Sequence, residues 1–156
     1  MYQVNMQFIS LALVGTIVPL VHAIGNAIVT NHCSNTIYVW SVGSSISNYQ
    51  AVASNQSYTE QYRADPQTGG ITLKVTAVAD GIYTGAPELD YGYTTDNQTI
   101  WYDISDVNGD PFAGSTVALV PGNAACQSFI WEDGVSPSGI NTASCSSDAD
   151  VQLTLC

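Results

Sequence analysis

Six carboxylates fall between residues 88 and 110, namely Glu88, Asp90, Asp96, Asp103, Asp106 and Asp110, interleaved with Tyr91, Tyr93, Trp101 and Tyr102. Sugar recognition uses these side-chain types: aromatic faces cover the apolar C–H patches of a pyranose, and carboxylates accept hydrogen bonds from its hydroxyls. Two carboxylates at a suitable separation, one with a raised pKa, could also act as the acid and base of a glycosidase. Other chemistries are poorly supplied. His32 is the only histidine after residue 23, so a Ser-His-Asp triad would have no other base. Gly134-Val135-Ser136-Pro137-Ser138-Gly139 lacks the G-x-S-x-G spacing of a nucleophile elbow. The run Asp103 to Asp110 has the look of a calcium loop, but aligning Gly109 to the turn position puts Ile104 where the first carboxylate ligand is required. It reads instead as a strand end followed by a tight turn. The cysteines show no C-x-x-C spacing. No metal and no cofactor are expected.

Thirteen acidic residues face two basic ones, Arg63 and Lys74, giving a formal net charge of −11. Such a surface repels phosphates and argues against nucleic acid and anionic membranes as partners. A soluble monomer is expected.

The first residues set the compartment. Phe8 to Val21 is one apolar run, followed by a Val21-His22-Ala23 ending that suits signal peptidase. The run has about 14 residues where a spanning helix needs roughly 20. Residues 1–23 are therefore read as a cleaved signal peptide and residues 24–156 as one secreted, extracellular domain. The leader carries no Lys or Arg, and Met6 is an alternative start. In an oxidising compartment Cys33, Cys126, Cys145 and Cys156 read as two disulfides, for which composition allows three pairings. Joining Cys126 to Cys145 is worth about 3 kcal/mol by loop entropy, and joining Cys33 to Cys156 about 5 kcal/mol. Asn55-Gln56-Ser57 and Asn97-Gln98-Thr99 are glycosylation sequons among turn residues, so both asparagines are expected to be solvent-facing.

The elements that must position these groups follow from period-two alternation. Ile71, Leu73, Val75 and Ala77 alternate with Thr72, Lys74 and Thr76, the mark of a half-buried strand. In Thr36–Val42 both faces carry apolar residues, with Tyr38, Trp40 and Val42 opposite Ile37, Val39 and Ser41. Shorter runs stand at Ala27–Asn31, Ser57–Arg63, Glu88–Tyr93, Thr99–Ile104, Thr116–Val120, Ser128–Trp131 and Val151–Leu155, separated by Gly, Pro, Asn and Asp turns. Eight or nine strands at this spacing predict an all-β sandwich or barrel. No window of 11 residues after residue 23 offers a convincing helical stripe.

Particular stretches resemble a family. Asn31-His32-Cys33-Ser34-Asn35-Thr36-Ile37-Tyr38-Val39-Trp40 resembles the opening of thaumatin-like proteins, Ser54–Thr59 with Pro66–Ile71 their next hairpin, and Tyr102-Asp103-Ile104-Ser105 their Y-D-I-S strand. The size, acidity and four cysteines are similar to the short fungal branch, the antigenic thaumatin-like and Blastomyces yeast-phase-specific proteins, akin to the conidial CetA-like ones. The resemblance implies a thaumatin-like β-sandwich, a Cys33–Cys156 bond and an extracellular or cell-wall-associated life in a fungus. It also implies an acidic cleft for β-1,3-glucan, with Glu88, Asp103 and Asp96 as its acids. Beside these the residue reading places Tyr91, Tyr93 and Trp101 as ligand-facing aromatics. The cysteine-rich domain of plant members is missing. Binding of a wall polysaccharide without catalysis, or a surface role as antigen or effector, is therefore the favoured reading; the rival is a weak endo-β-1,3-glucanase using Glu88 and Asp103.

Overall fold

In the computed structural model, which describes residues 23–156, the alternating segments become strands of two facing sheets. The expected signal peptide lies outside the described residues, apart from Ala23. The strands are β1 (Asn26–Asn31), β2 (Ile37–Val42), β3 (Gln50–Val52), β4 (Gln56–Gln61), β5 (Ile71–Thr76), β6 (Glu88–Asp96), β7 (Thr99–Val107), β8 (Val117–Pro121), β9 (Phe129–Trp131), β10 (Thr142–Ser146) and β11 (Val151–Leu155). One sheet runs β4-β1-β11-β8-β9 and the other β10-β7-β6-β5-β2-β3. All strand pairs are antiparallel except β1 with β11.

That parallel pair joins the two ends of the domain. Asn31 stands beside Leu155, so the residues just past both strands leave the sheet together, and Cys33 bonds Cys156 there. The second bond, Cys126–Cys145, ties the loop before β9 in one sheet to the edge strand β10 of the other. Of the three pairings open to the sequence, the chain adopts the one the resemblance implied for Cys33.

Each sheet has one apolar face, and the two close on each other. Val29, Leu119 and Leu153 from the five-stranded sheet, and Val39, Leu73, Tyr91 and Ile100 from the six-stranded one, are fully buried. Burying each aliphatic side chain of this size stabilises the fold by about 1.5–3 kcal/mol. Tyrosines fit this core because each hydroxyl finds an acceptor. Tyr91 donates to the Val151 carbonyl at 3.1 Å, bridging the sheets, and Tyr62, just past β4, donates to that of Ala149 at 3.1 Å, just before β11 of the same sheet.

Two strands and one helical turn lie beyond the sequence expectation. β3 and β10 are polar edge strands that pair on one side only, so no alternating apolar face announces them. The turn α1 (Gly81–Thr84) is four residues long and ends at Gly85, whose φ of 70° is left-handed. β6 and β7 run further than expected, to a nine-residue hairpin of matched strands.

Candidate functional site

Register decides which chemical groups meet. On β6, Leu89, Tyr91 and Tyr93 face the core, so Glu88, Asp90, Gly92 and Thr94 share the outer face of the six-stranded sheet. On β7, Ile100, Tyr102 and Ile104 face inward and leave Trp101, Asp103 and Ser105 on the same outer face. Across the sheet, Asp103 stands opposite Gly92, which is opposite Thr72; Trp101 is opposite Thr94; and Asp90 is opposite both Ser105 and Lys74.

Gly92 shapes the centre of this face. A Cβ at position 92 would lie 2.3 Å from Asp103 Oδ1, so the carboxylate lies over the bare backbone of β6. It looks into a shallow depression of 290 Å³ whose walls include Thr68, Thr72 and Thr94. Among the described residues no N–H or O–H donates to the Asp103 carboxylate. Partial burial pushes its pKa up, because desolvation disfavours the charged form. Trp101, two residues back on the same strand face and hence about 7 Å away, has half its surface open, at 50%. A partnerless carboxylate and three threonine hydroxyls thus share one shallow floor, and an exposed indole stands on the same outer face of the sheet.

Glu88 belongs to a different arrangement. It is 5% exposed, and Lys74 Nζ on β5 donates to its carboxylate. The same ammonium reaches Asp90 Oδ2 at 3.1 Å. Burial lowers the Lys74 pKa, but the bonds from Glu88 and Asp90 outweigh it and the net shift is upward. Asp90 moves up to about 6, with burial opposed by Lys74 and reinforced by Glu88. The Glu88 carboxylate therefore turns toward β5, away from β7. Its Cα and that of Asp103 are separated by four residues along the sheet, about 13 Å.

Of the six residues expected to contact a ligand, Asp103 and Trp101 come together on the open outer face of β7. Asp96 is exposed at the far end of β6, diagonally beyond Trp101, where Asn97 Nδ2 donates to it at 3.1 Å. Glu88 is engaged by Lys74. Tyr91 and Tyr93 need correction: at 0% and 2% exposed they face the core, since the alternation that puts Asp90 and Gly92 outward must put them inward. Tyr93 donates to Glu60 inside the sandwich. Both sequon asparagines are exposed at left-handed turn positions, Asn55 with φ 61° and Asn97 with φ 52°.

Sequence reasoning passed over Gly92, Thr72, Thr94 and Lys74. The signal for the first was present: a glycine within an otherwise well-alternating strand marks close approach of another group. Tyr38 and Tyr49 were also missed as a surface feature. Tyr49 packs edge-on against Tyr38 at 5.2 Å and Trp40 at 5.6 Å, which buries Trp40 on the outer face of β2.

Two facing antiparallel sheets, closed by a bond between the first and last cysteines and carrying an acidic strip on one outer face, define a β-sandwich of the thaumatin-like kind. The chain belongs to the Bys1 family, described as Blastomyces yeast-phase-specific protein, which matches residues 14–156. It is similar to an "Antigenic thaumatin-like protein" of Arthroderma benhamiae, 28% identical over 97% of this chain and 83% of that protein. It is also similar to the "Secreted thaumatin-like protein calA" of Emericella nidulans, 30% identical over 84% of this chain and 81% of the other. Among solved structures it resembles the protein elicitor MoHrip2 from Magnaporthe oryzae, with a TM-score of 0.69 and 28% identity over 85% of this chain and 98% of that one.

Proposed function

We propose that this is a secreted protein that binds a cell-wall polysaccharide, with β-glucan the first ligand to test, through the outer face of the six-stranded sheet, and that it does not hydrolyse what it binds. The observation that carries the reading is the Asp103 carboxylate, held over Gly92 with no protein donor and flanked by the exposed indole of Trp101. A sugar hydroxyl supplies the donor that the protein withholds, and a pyranose face covers the indole. The uncharged threonine hydroxyls fit a neutral polymer, which a chain of net charge −11 does not repel. The names of the relatives, one secreted and one antigenic, support an extracellular setting, and the elicitor supports an outward-facing role.

Hydrolysis is set aside because the second carboxylate is spent on Lys74. Glycans on Asn55 and Asn97 belong to the proposal as well. Asn55 lies beside Asn31 at the end of β1, while Gln98 next to Asn97 bonds Ser147, which in turn holds Gly25 at the start of β1. Sugars there would cap opposite ends of the sandwich and leave the binding face clear.

The test is co-sedimentation with insoluble β-glucan, comparing wild type with a Trp101→Ala/Asp103→Asn double variant. Retention of the wild type and its loss in the variant are expected, with no reducing sugar released. Equal retention of both proteins would reject the site, and release of reducing sugar would restore the glucanase reading.

A further inference from the structure

One carboxylate of the acidic strip does not face the proposed ligand. Asp106 has the inward parity of Tyr102 and Ile104, and both its oxygens are buried without any hydrogen bond from the described residues. An unpaired charge in such a place is costly unless the group stays neutral. The charged groups that act on it are both negative: Asp110 from the loop after β7, which faces it, and Asp90 on the other face of β6, which is felt through its charge alone. Asp110 accepts the Ser136 N–H at 3.2 Å, and the same N–H approaches Asp106 without closing a bond to it.

Ser136 belongs to the loop that borders the binding face. Its base is fixed by the Gly114 N–H on the Asp133 carbonyl at 2.7 Å, and its far end by the Ile104 N–H on the Asn141 carbonyl at 3.2 Å, one residue before Thr142 pairs with Asp103. Between Gly134 and Asn141 the Val135 N–H donates to Asp133 Oδ1 at 3.3 Å within the loop's own base, and among the described residues the Ser136–Asp110 bond is the one hydrogen bond that ties the stretch to a distant segment. Ile140 on this stretch is 86% exposed.

We infer that a protonated Asp106 and the Asp110 it faces together form an acid-closed latch, which holds the 134–141 loop against the edge of the polysaccharide face and releases it when Asp106 loses that proton. The consequence for binding rests on the proposed function; the latch itself does not. With the proton present, the Asp106 hydroxyl donates to the Asp110 carboxylate, which still accepts Ser136. Without it two carboxylates confront each other in a poorly hydrated corner, Asp110 swings toward water and Ser136 loses its acceptor. Burial, together with Asp110, raises the Asp106 pKa to about 7 in the closed form. An open loop admits water to Asp106 and draws Asp110 away, which lowers that pKa toward the ordinary carboxylate range. A folded-state acid with a raised pKa favours the closed form at low pH, and that preference is lost as pH rises through 7.

The experiment is hydrogen exchange of residues 134–141 at pH 5 and pH 8 on the full secreted chain, corrected for intrinsic exchange. Wild-type protection should fall by about tenfold at pH 8, a discounted figure because Asp106 is not wholly enclosed. Asp106→Asn, whose amide donates to Asp110 at any pH, should keep its protection at pH 8. Equal wild-type protection at both pH values overturns the latch. If the variant fails to fold, carbon-13 titration of the wild-type Asp106 carboxyl decides: a midpoint near 7 supports the latch and one near 4 overturns it. A wild type that shows the pH-dependent protection yet binds no polysaccharide supports the latch and removes only the functional reading.

Discussion

The substitution Gly92→Ala isolates the proposed site from the fold. Position 92 lies mid-strand in β6 with no left-handed φ, so alanine fits its backbone. Glycine inside a strand costs about 0.5–1 kcal/mol relative to alanine, because it gives up more freedom on folding. The new Cβ would meet Asp103 Oδ1 at 2.3 Å, and the atom that must move is the free end of a side chain with no partner to lose. The variant should therefore melt at the same temperature or about 1–4 °C higher, the shift expected for a gain of that size in a domain of this length. Binding behaves differently. Displacing the carboxylate forfeits a charge-assisted hydrogen bond worth about 1.5–3 kcal/mol, so affinity for a soluble glucan oligomer should drop by about tenfold or more. Thermal melting and isothermal titration on the same preparation read both effects. A variant that melts higher and binds as well as wild type would refute the placement of Asp103 at the ligand, and one that melts well below wild type would refute the claim that the carboxylate is free to move.

The same substitution at Gly134 should have the opposite sign: φ is 65°, and a Cβ would sit 2.1 Å from the Phe112 carbonyl oxygen and 2.5 Å from that of Ser115, backbone atoms that cannot step aside. A loss of at least about 2 kcal/mol in urea unfolding is expected, and a neutral result would contradict the packing of that loop. Replacing Cys33 and Cys156 by serine should cost more than replacing Cys126 and Cys145, because the first bond closes a separation of 123 residues and the second one of 19. Loop entropy puts the two losses near about 5 and about 3 kcal/mol, and melting of the two double variants gives the order. Stability should rise as pH falls from 8 to 5. Burial first, and neighbouring carboxylates after it, raise Asp90 to about 6 and Asp106 to about 7, so both groups favour the folded state while protonated and lose that contribution as pH passes those values. Asp65 works the other way: the N–H of Ser44, then the N–H of Thr68 and the Ser44 hydroxyl, hold its pKa far below the usual range, and its contribution is lost as pH falls below about 4. A melting temperature that climbs steadily from pH 5 to pH 8 would reverse the signs assigned to Asp90 and Asp106.

The sheets were legible where one face had to be dry. Ile71, Leu73 and Val75 declare β5 by themselves, and the two-sided burial expected of Thr36–Val42 reappears in Trp40, buried outward under Tyr49. The polar edges were not legible, since Gln50–Val52 and Thr142–Ser146 owe their strand form to a neighbour's backbone and not to their own side chains. Which cysteine joins which was likewise open to composition. It is settled by β1 and β11 running parallel, a long-range pairing that no local pattern encodes.

The candidate site was read at the wrong scale, and the reason is physical. A window of residues rich in Asp, Tyr and Trp is one patch only if its side chains share a face, yet a strand sends successive side chains to opposite sides. Strict alternation from Leu89 already separates Tyr91 and Tyr93 from Asp90 and Gly92, and it separates Asp106 from Asp103 on β7. The choice of dry face then follows from capacity: Leu89, Ile100 and Ile104 have no polar atoms to satisfy, while each tyrosine has one hydroxyl that Val151 or Glu60 can receive. Asp103 has no such acceptor-seeking group and accepts no hydrogen bond at its carboxylate from the described residues, so it remains on the wet side with its charge unspent. Parity sets Asp106 apart from Asp103, and Lys74 then sets Glu88 and Asp90 apart from Asp103 on the face all three share, so the stretch has three physical roles. Glu88 and Asp90 neutralise Lys74, Asp106 and Asp110 stand against each other at the core edge, and Asp103 is left with its hydrogen-bonding capacity free for a ligand.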